Sequence, residues 1–307
     1  MTNSPAISVV MPVYNGEKYL RQSIESILNQ TFKNFEFLIV YDKSTDNTES
    51  IIYDYQTKDS RIKIINGNGN GIIGALNEGI IESKGNFIAR HDADDISILK
   101  RLEIQYKFIT ENKLDICGGD YILIDEDESL QKSINVAKKE HEILLTMASN
   151  VPFAHPSVLI NKSFLITHKL NYGVFGHKVA EDLDLWMQMY NRGAKFGNVD
   201  AILLKYRLLN DSLSSVNNKL IKKEVSTQFN IFVSKNLREF KYALELFCKA
   251  KDHDDNIKKV AIKALFRYVA IDFNIRLIFR CWRKAGLYNF IFGFLSYMNS
   301  IIFFGRT

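Results

Sequence analysis

Within its first hundred residues the chain repeats one unit four times: a short apolar run, a turn of small polar residues, then apolar residues at helical spacing. The first run, Ile7 to Val13, closes on Tyr14-Asn15-Gly16, and Leu20, Ile24, Ile27 and Leu28 follow at a helical period. The second, Phe35 to Tyr41, is followed by Ser44-Thr45-Asp46, which caps a helix running towards Gln56. Arg61 to Ile65 is a third strand, with the Gly-rich turn Asn66 to Gly71 and a helix through Leu76 and Ile80 behind it. Asn86 to His91 is a fourth, ending at Asp92-Ala93-Asp94-Asp95, and Ile98, Leu102, Tyr106 and Ile109 mark the next helix. Four such units require a parallel sheet with helices on both faces, because a parallel pair needs a crossover and the helix supplies it.

Beyond residue 113 the pattern loosens into short strands around Ile116, Ile122 and Val158 and a charged loop, Asp125 to Glu128. An amphipathic helix carrying Leu183, Trp186, Met187 and Tyr190 opens at Glu181-Asp182, and Phe196 to Leu209 reads as one or two closing strands. From about residue 218 the chain reads as wholly helical, without internal repeats. The expected fold class is α/β, with residues 1–215 as an α/β domain and 216–307 as a helical tail.

At 307 residues and 46% hydrophobic, the chain can bury a real core, which excludes collagen-like, low-complexity and wholly disordered classes. The three cysteines (117, 248, 281) form no close pair in sequence, so no disulfide framework is expected and a reducing compartment is the default. Met1 to Ala6 is polar and reads as no secretory signal, giving a cytoplasmic expectation. Charge is unevenly divided: residues 1–218 carry 23 basic and 28 acidic side chains, whereas 219–307 carry 17 and 7. A basic tail on an acidic body points to an anionic partner for the tail.

Ligands of open parallel sheets bind at the carboxyl ends of the strands. Three polar groups fall there: Tyr14-Asn15, Asp42, and Asp92-Ala93-Asp94-Asp95. Three carboxylates within four residues repel one another unless a cation or hydrogen bonds offset them. A hard divalent ion does so with oxygen ligands. The plainer account, acids at a helix N-terminus, covers Asp95 and Asp94 but leaves Asp92 at a strand end unexplained. Asp42 can accept from a base or ribose, or belong with its Ser/Thr neighbours to a helix cap. Asn66 to Gly71 lacks an ordered phosphate-binding fingerprint and reads as a turn. Glu181 or Asp182 can act as a general base, or simply cap the helix. His155 stands alone, and no nucleophilic triad or Cys–His zinc spacing exists.

Taken together and in order, Met11-Pro12-Val13-Tyr14-Asn15, Tyr41 to Thr48, Asp92-Ala93-Asp94-Asp95 and Glu181-Asp182 resemble the signatures of family 2 glycosyltransferases over roughly residues 5–210. The resemblance implies the GT-A fold: a mixed, mostly parallel nucleotide-binding sheet flanked by helices, here with a donor half (1–112) and an acceptor half (113–215). It implies that Pro12, Tyr14 and Asp42 hold the nucleoside of a nucleotide-sugar, by default a UDP-sugar. It implies that Asp92 and Asp94 match the Asp-x-Asp motif, with Asp94 the direct contact to Mn²⁺ or Mg²⁺. Asp182 matches the catalytic base, with Glu181 beside it, and the reaction would invert the anomeric configuration. His155-Pro156-Ser157 resembles a segment of bacterial members without a defined role. Tyr41 and Lys43 depart from the family's usual Asp and Gly around Asp42, which bears on donor choice. A nucleotidyltransferase, the rival class, would carry a basic Gly-rich loop after the first strand, and Pro12 to Lys18 supplies none. A non-catalytic nucleotide-sugar binder is the other alternative.

In the tail, Arg276, Arg280, Arg283 and Lys284 precede 21 uncharged residues, Ala285 to Gly305. Asn289, Gly293, Ser296 and Ser300 form one thin polar stripe in that run. The pattern suits a helix lying in the inner face of a membrane, ahead of a span or a cover for the catalytic domain or a second subunit. No nucleic-acid-reading motif is present. An interfacial tail makes a lipid-linked saccharide the natural acceptor, in O-antigen (lipopolysaccharide) or capsule synthesis.

Overall fold

A computed structural model describes residues 4–173, 180–209, 218–250 and 252–302. The repeated units fold in sequence order as β1 (Ile7–Val13), α1 (Glu17–Leu28), β2 (Phe35–Tyr41), α2 (Thr48–Lys58), β3 (Ile62–Asn66), α3 (Gly71–Glu82) and β4 (Phe87–Arg90). Then come β5 (Ile96–Ser97), α4 (Arg101–Glu111), β6 (Ile116–Ile124), β7 (Gln131–Ile134) and α5 (Glu140–Thr146). A short 3₁₀ turn at His155–Ser157 leads to β8 (Leu159–Asn161), α6 (Lys162–Thr167), α7 (Glu181–Asn191) and β9 (Phe196–Arg207). The short strands expected around Ile116 and Ile122 are one strand, β6, and the closing segment is likewise one strand, β9.

The sheet runs β3-β2-β1-β4-β8-β6-β9-β5, with β7 on β6. The first four strands are parallel; β8 is antiparallel to both β4 and β6, and β9 runs parallel to β6. Buried on both faces, the first strands read as nearly continuous Val, Ile, Leu and Phe. The exception, Glu36 in β2, is 3% exposed and fully engaged. It accepts from Ser8 Oγ at 2.6 Å, Lys63 Nζ at 2.6 Å and the Lys84 amide at 2.6 Å. One core cluster joins Val9, Met11, Phe37 and Ile39 to Leu20, Ile24 and Ile27 of α1 and Leu102 and Ile109 of α4.

The order reverses at β1: the chain moves outward to β2 and β3, then returns on the other side as β4. A crevice opens where strands depart in opposite directions. Pro12 sits at its lip. β4 pairs with β1 only as far as Val10, and the Val10 carbonyl receives the His91 amide at 3.1 Å. Two residues on, Pro12 faces the same side beyond the end of β4, so its missing N–H removes no ladder bond.

The chain divides into two units, Met1–Val136 with Phe153–Ser215, and Ala137–Pro152 with Val216–Thr307. The second is helical: α5 with α8 (Asn218–Lys235), α9 (Leu237–Lys249), α10 (Asp255–Val269), α11 (Ile275–Ala285) and α12 (Leu287–Ile302). Phe240, Ala243, Leu244 and Phe247 form the buried stripe of α9. His253 pins α5 to α9: its Nδ1 is 3.1 Å from Glu142 Oε1 and its Nε2 2.9 Å from the Phe247 carbonyl. Cys248 of α9 and Cys281 of α11, 33 residues apart, have sulfurs 3.4 Å apart, both as free thiols. The helices supply a proximity that the spacing in sequence does not show. No described helix is long and apolar enough to cross a membrane.

Candidate active site

The loops after β1 and β2 are laced into one surface. Asn15, at φ 48°, accepts the Thr45 amide on its Oδ1 at 2.8 Å and donates its own amide to Ser44 Oγ at 3.0 Å. Thr48 Oγ1 accepts the Gly16 amide at 2.8 Å, and the two oxygens of Asp46 accept the Glu17 amide at 3.1 Å and the Thr48 amide at 3.0 Å. The Ser/Thr/Asp run therefore does cap α2, and it also fixes the neighbouring loop. Tyr14 is left 62% exposed beside it, an aromatic face open to a ligand.

Asp42 follows β2 and accepts the Gly69 amide on Oδ1 at 3.0 Å. The Gly-rich turn thus orients a carboxylate. Gly67 is required there because a Cβ would lie 2.2 Å from Asp42 Oδ1. Beside it, the Tyr41 hydroxyl donates to Glu49 Oε1 at 2.8 Å, turned towards α2.

Across the crevice, Asp92, Asp94 and Asp95 each present an oxygen within 4.8 Å of the others. Asp92 is paired with the buried Arg90. Asp95 is 1% exposed; its Oδ1 accepts the Arg207 amide at 2.8 Å, and its Oδ2 has no partner among the described residues. Burial, reinforced by the Asp92 charge, pushes Asp94 up to about 6 and Asp95 well above the usual carboxylate range. Crowded carboxylates with one buried oxygen unmatched form an all-oxygen set that fits Mg²⁺ or Mn²⁺.

Two arginines hold this loop from behind. Arg207, at the end of β9, donates from Nε to the Asp94 carbonyl at 2.9 Å and from Nη1 to the carbonyls of Asp125 and Glu126 at 3.1 and 2.9 Å. Arg101, fully buried, donates to the Arg90 carbonyl at 2.7 Å and to Ser97 Oγ at 2.9 Å. His91, also fully buried and 3.0 Å from Ser23 Oγ, is kept neutral by burial and by Arg101.

Glu181 and Asp182 open α7. Ala180 precedes them at φ 60°, a left-handed conformation that costs an Ala about 1–2 kcal/mol. Asp182 Oδ1 accepts the Leu183 amide at 2.7 Å, so the capping account is physically true, and both carboxylates remain half-buried. Burial and the adjacent Asp182 push Glu181 up to about 7, and burial raises Asp182 as well. Arg90 lowers both, and Asp92 raises both, so the two acidic groups share one field. His155 lies between elements here: its Nδ1 is 3.6 Å from Glu181 Oε1, its Nε2 3.0 Å from the Tyr172 hydroxyl, and its ring meets Trp186 edge-on. Burial, then Arg90, keep it neutral.

The structure thus places Asp92 where its charge reaches Glu181 and Asp182, with Asp94 beside it, and it sets Pro12, Tyr14 and Asp42 at the adjoining strand ends. Sequence reasoning missed Arg90, Arg101, Arg207 and Tyr172, which carry no local signature. His155 had a signal, its place in the His-Pro-Ser segment, but its partners are visible only in the fold.

Comparison with known proteins identifies the family and the fold. The glycosyl transferase family 2 profile matches residues 8–168. The O-antigen biosynthesis glycosyltransferase WbnJ of Escherichia coli is 32% identical over 209 residues, 67% of this chain and 81% of its own. The UDP-Glc:alpha-D-GlcNAc-diphosphoundecaprenol beta-1,3-glucosyltransferase WfgD of Escherichia coli is 33% identical over 247 residues, 78% of this chain and 90% of its own. The crystal structure of Staphylococcus aureus TarS 1-349 with UDP superposes with a TM-score of 0.60 at 19% identity, covering 95% of this chain and 91% of that one. The fold is of the GT-A type, as the motif order implied, and the chain is a glycosyltransferase belonging to glycosyl transferase family 2.

Proposed function

We propose that this enzyme is an inverting, metal-dependent glycosyltransferase. It moves a sugar from a nucleotide-sugar to a hydroxyl of a lipid-linked saccharide during surface-polysaccharide assembly. One observation carries the reading: Asp92, Asp94 and Asp95 crowd their oxygens within 4.8 Å of one another with one buried oxygen unmatched, and the charge of Asp92 reaches both Glu181 and Asp182. WfgD's name specifies a UDP-sugar donor and a diphosphoundecaprenol-linked acceptor, and WbnJ's an O-antigen context. TarS was crystallised with UDP, so uridine diphosphate is the first nucleotide to test.

In this reading Tyr14 offers its exposed ring and Asp42 its anchored carboxylate to the nucleoside, with Pro12 shaping the lip. Asp94 and Asp92 hold the divalent ion, which when bound stabilises the negative charge that develops on the departing diphosphate. Asp182 takes the proton from the acceptor hydroxyl. That oxygen attacks the anomeric carbon from the face opposite the diphosphate, the bond to the diphosphate breaks, and the configuration inverts. A carboxylate whose proton affinity is raised by burial is a better base for this step than an exposed one. Glu181, near 7, holds a proton much of the time at neutral pH and so spares Asp182 a second negative neighbour.

The test is calorimetric titration of UDP into the purified chain with and without Mn²⁺, beside Asp94→Ala. Metal-dependent binding that the variant loses supports the donor site; binding unaffected by Mn²⁺ and by the variant overturns the metal assignment. Analysis of the product's anomeric configuration by NMR decides inversion, and a retained configuration overturns it.

A further inference from the structure

The polar stripe of the last helix faces the opposite way from the expectation. Asn289 is 8% exposed, its Nδ2 bonded to the Ala285 carbonyl at 3.1 Å. At Gly293 a Cβ would stand 2.5 Å from Ile262 of α10. The small and polar edge is the packed edge. What α12 turns outward is hydrocarbon: Leu287, Tyr288, Ile291, Phe292 and Leu295 are all exposed.

The preceding helix, α11, has three faces. Leu277, Cys281 and Ala285, one turn apart, are buried. Ile275, Phe279 and Trp282 are exposed on a second face, which continues into an apolar groove of about 370 Å³ lined by Ile278, Phe279, Trp282, Leu287, Phe290 and Ile291. Arg276, Arg280 and Arg283 are exposed on the third. From Phe273 to the C-terminus there is no Asp or Glu. A soluble surface of this kind is unfavourable in water, since contiguous apolar patches of this character mark interaction sites.

We propose that the outward face of α11 and α12 docks on an anionic lipid bilayer, lying in the plane of the interface with its arginines at the phosphate level. The charge decides between occupants. A second copy applied to this face would set arginine against arginine with no acidic residue in the segment to compensate, because a two-fold interface is self-complementary. Anionic headgroups supply that compensation, and the acyl region receives Phe279, Trp282 and the α12 side chains. No described helix is long and apolar enough to cross a membrane. The inference rests on the tail's own surface and does not depend on the reaction proposed above.

The experiment uses the full chain, without nucleotide or sugar, and phosphatidylcholine vesicles with and without phosphatidylglycerol. The chain floats with the anionic vesicles, and partitioning falls roughly tenfold or more on neutral ones. The same loss follows in Phe279→Ser/Trp282→Ser and in Arg276→Glu/Arg280→Glu, whose circular dichroism stays that of the parent because the altered side chains are exposed. Emission from Trp282 moves to shorter wavelength on binding, against a constant background from Trp186, which is fully buried. Failure of the folded chain to float with anionic vesicles overturns the proposal. So does a concentration-dependent dimer that Phe279→Ser/Trp282→Ser abolishes, which would make the occupant a second copy.

Discussion

The sheet unit and the helical unit break the usual division of residues in opposite directions. In the first, Arg90, Asp95, Arg101 and Arg207 are all less than 5% exposed. In the second, a continuous face of Phe, Trp, Tyr, Leu and Ile is turned to water. Charged side chains are almost never fully buried unless paired, and large exposed apolar patches are rare on monomers. Each departure costs stability in the isolated chain, and the two proposals above assign each a different kind of partner: an ionic ligand for the buried charge and an apolar one for the exposed hydrocarbon. The contrast teaches where to look in each unit: at its least satisfied atoms, whatever their polarity.

Six substitutions test that contrast. The largest effect is expected at Asp182→Asn, which lowers transfer about 10²- to 10⁴-fold while UDP binding survives, read by steady-state kinetics beside calorimetry. Equal loss of both would remove the base assignment. Arg207→Met separates structural from catalytic charge in the same unit. Its guanidinium is 1% exposed and serves three backbone carbonyls, so its loss costs about 3–5 kcal/mol in urea denaturation.

Glu181→Gln probes the opposite sign. Its folded value, about 7, lies above the ordinary 4.5, so the folded state binds the proton more tightly than the unfolded one. Stability from this group is greatest below 4.5 and is lost as pH rises towards 7. The Gln variant should therefore gain about 2 kcal/mol over the parent at pH 8 and nothing at pH 4, measured by denaturation at both. Next, Gly67→Ala pushes a methyl into Asp42 Oδ1 and weakens nucleotide binding about tenfold with little change in kcat. The smallest effect is predicted for Phe279→Ser and Tyr288→Ser, whose stability stays within about 0.5 kcal/mol of the parent because both side chains are more than half exposed. A large loss at either position would mean that the helical unit's outer face is structural, and the contrast would fail.

Much of the repeated strand–helix region was legible because its signals are local. Strand runs, helical periods and the acids at Asp92 to Asp95 each lie within a dozen residues, and physical chemistry acts on them at that range. The arginines were not, since an Arg inside an apolar strand looks the same whether it is exposed or completes a buried site. Arg207 acquires meaning only when β9 brings it beside Asp94 and Asp95. The tail shows a different limit. Periodicity identified the stripe of Asn289, Gly293 and Ser296, but a stripe has two possible directions, and α10 determines which one is packed. Ser300's side chain and residues 303–307, the end of the same run, lie outside the described residues. At the cysteines, spacing in sequence carried no sign of the approach of Cys248 to Cys281 that helix packing creates.

The span between Asp95 and its partner amide on Arg207 is 112 residues. At about 5–20 residues per second, a ribosome makes the acidic cluster roughly 6–22 s before it makes the arginine that fastens it. β5, which adjoins the cluster, also waits for β9 before it can pair. During that interval the first strand–helix units can already collapse, but the carboxylates have neither their clamp nor their strand. The first strand–helix units are therefore born before the clamp on their acidic cluster, and the growing chain passes through a stage in which those units can already collapse while the cluster is not yet held.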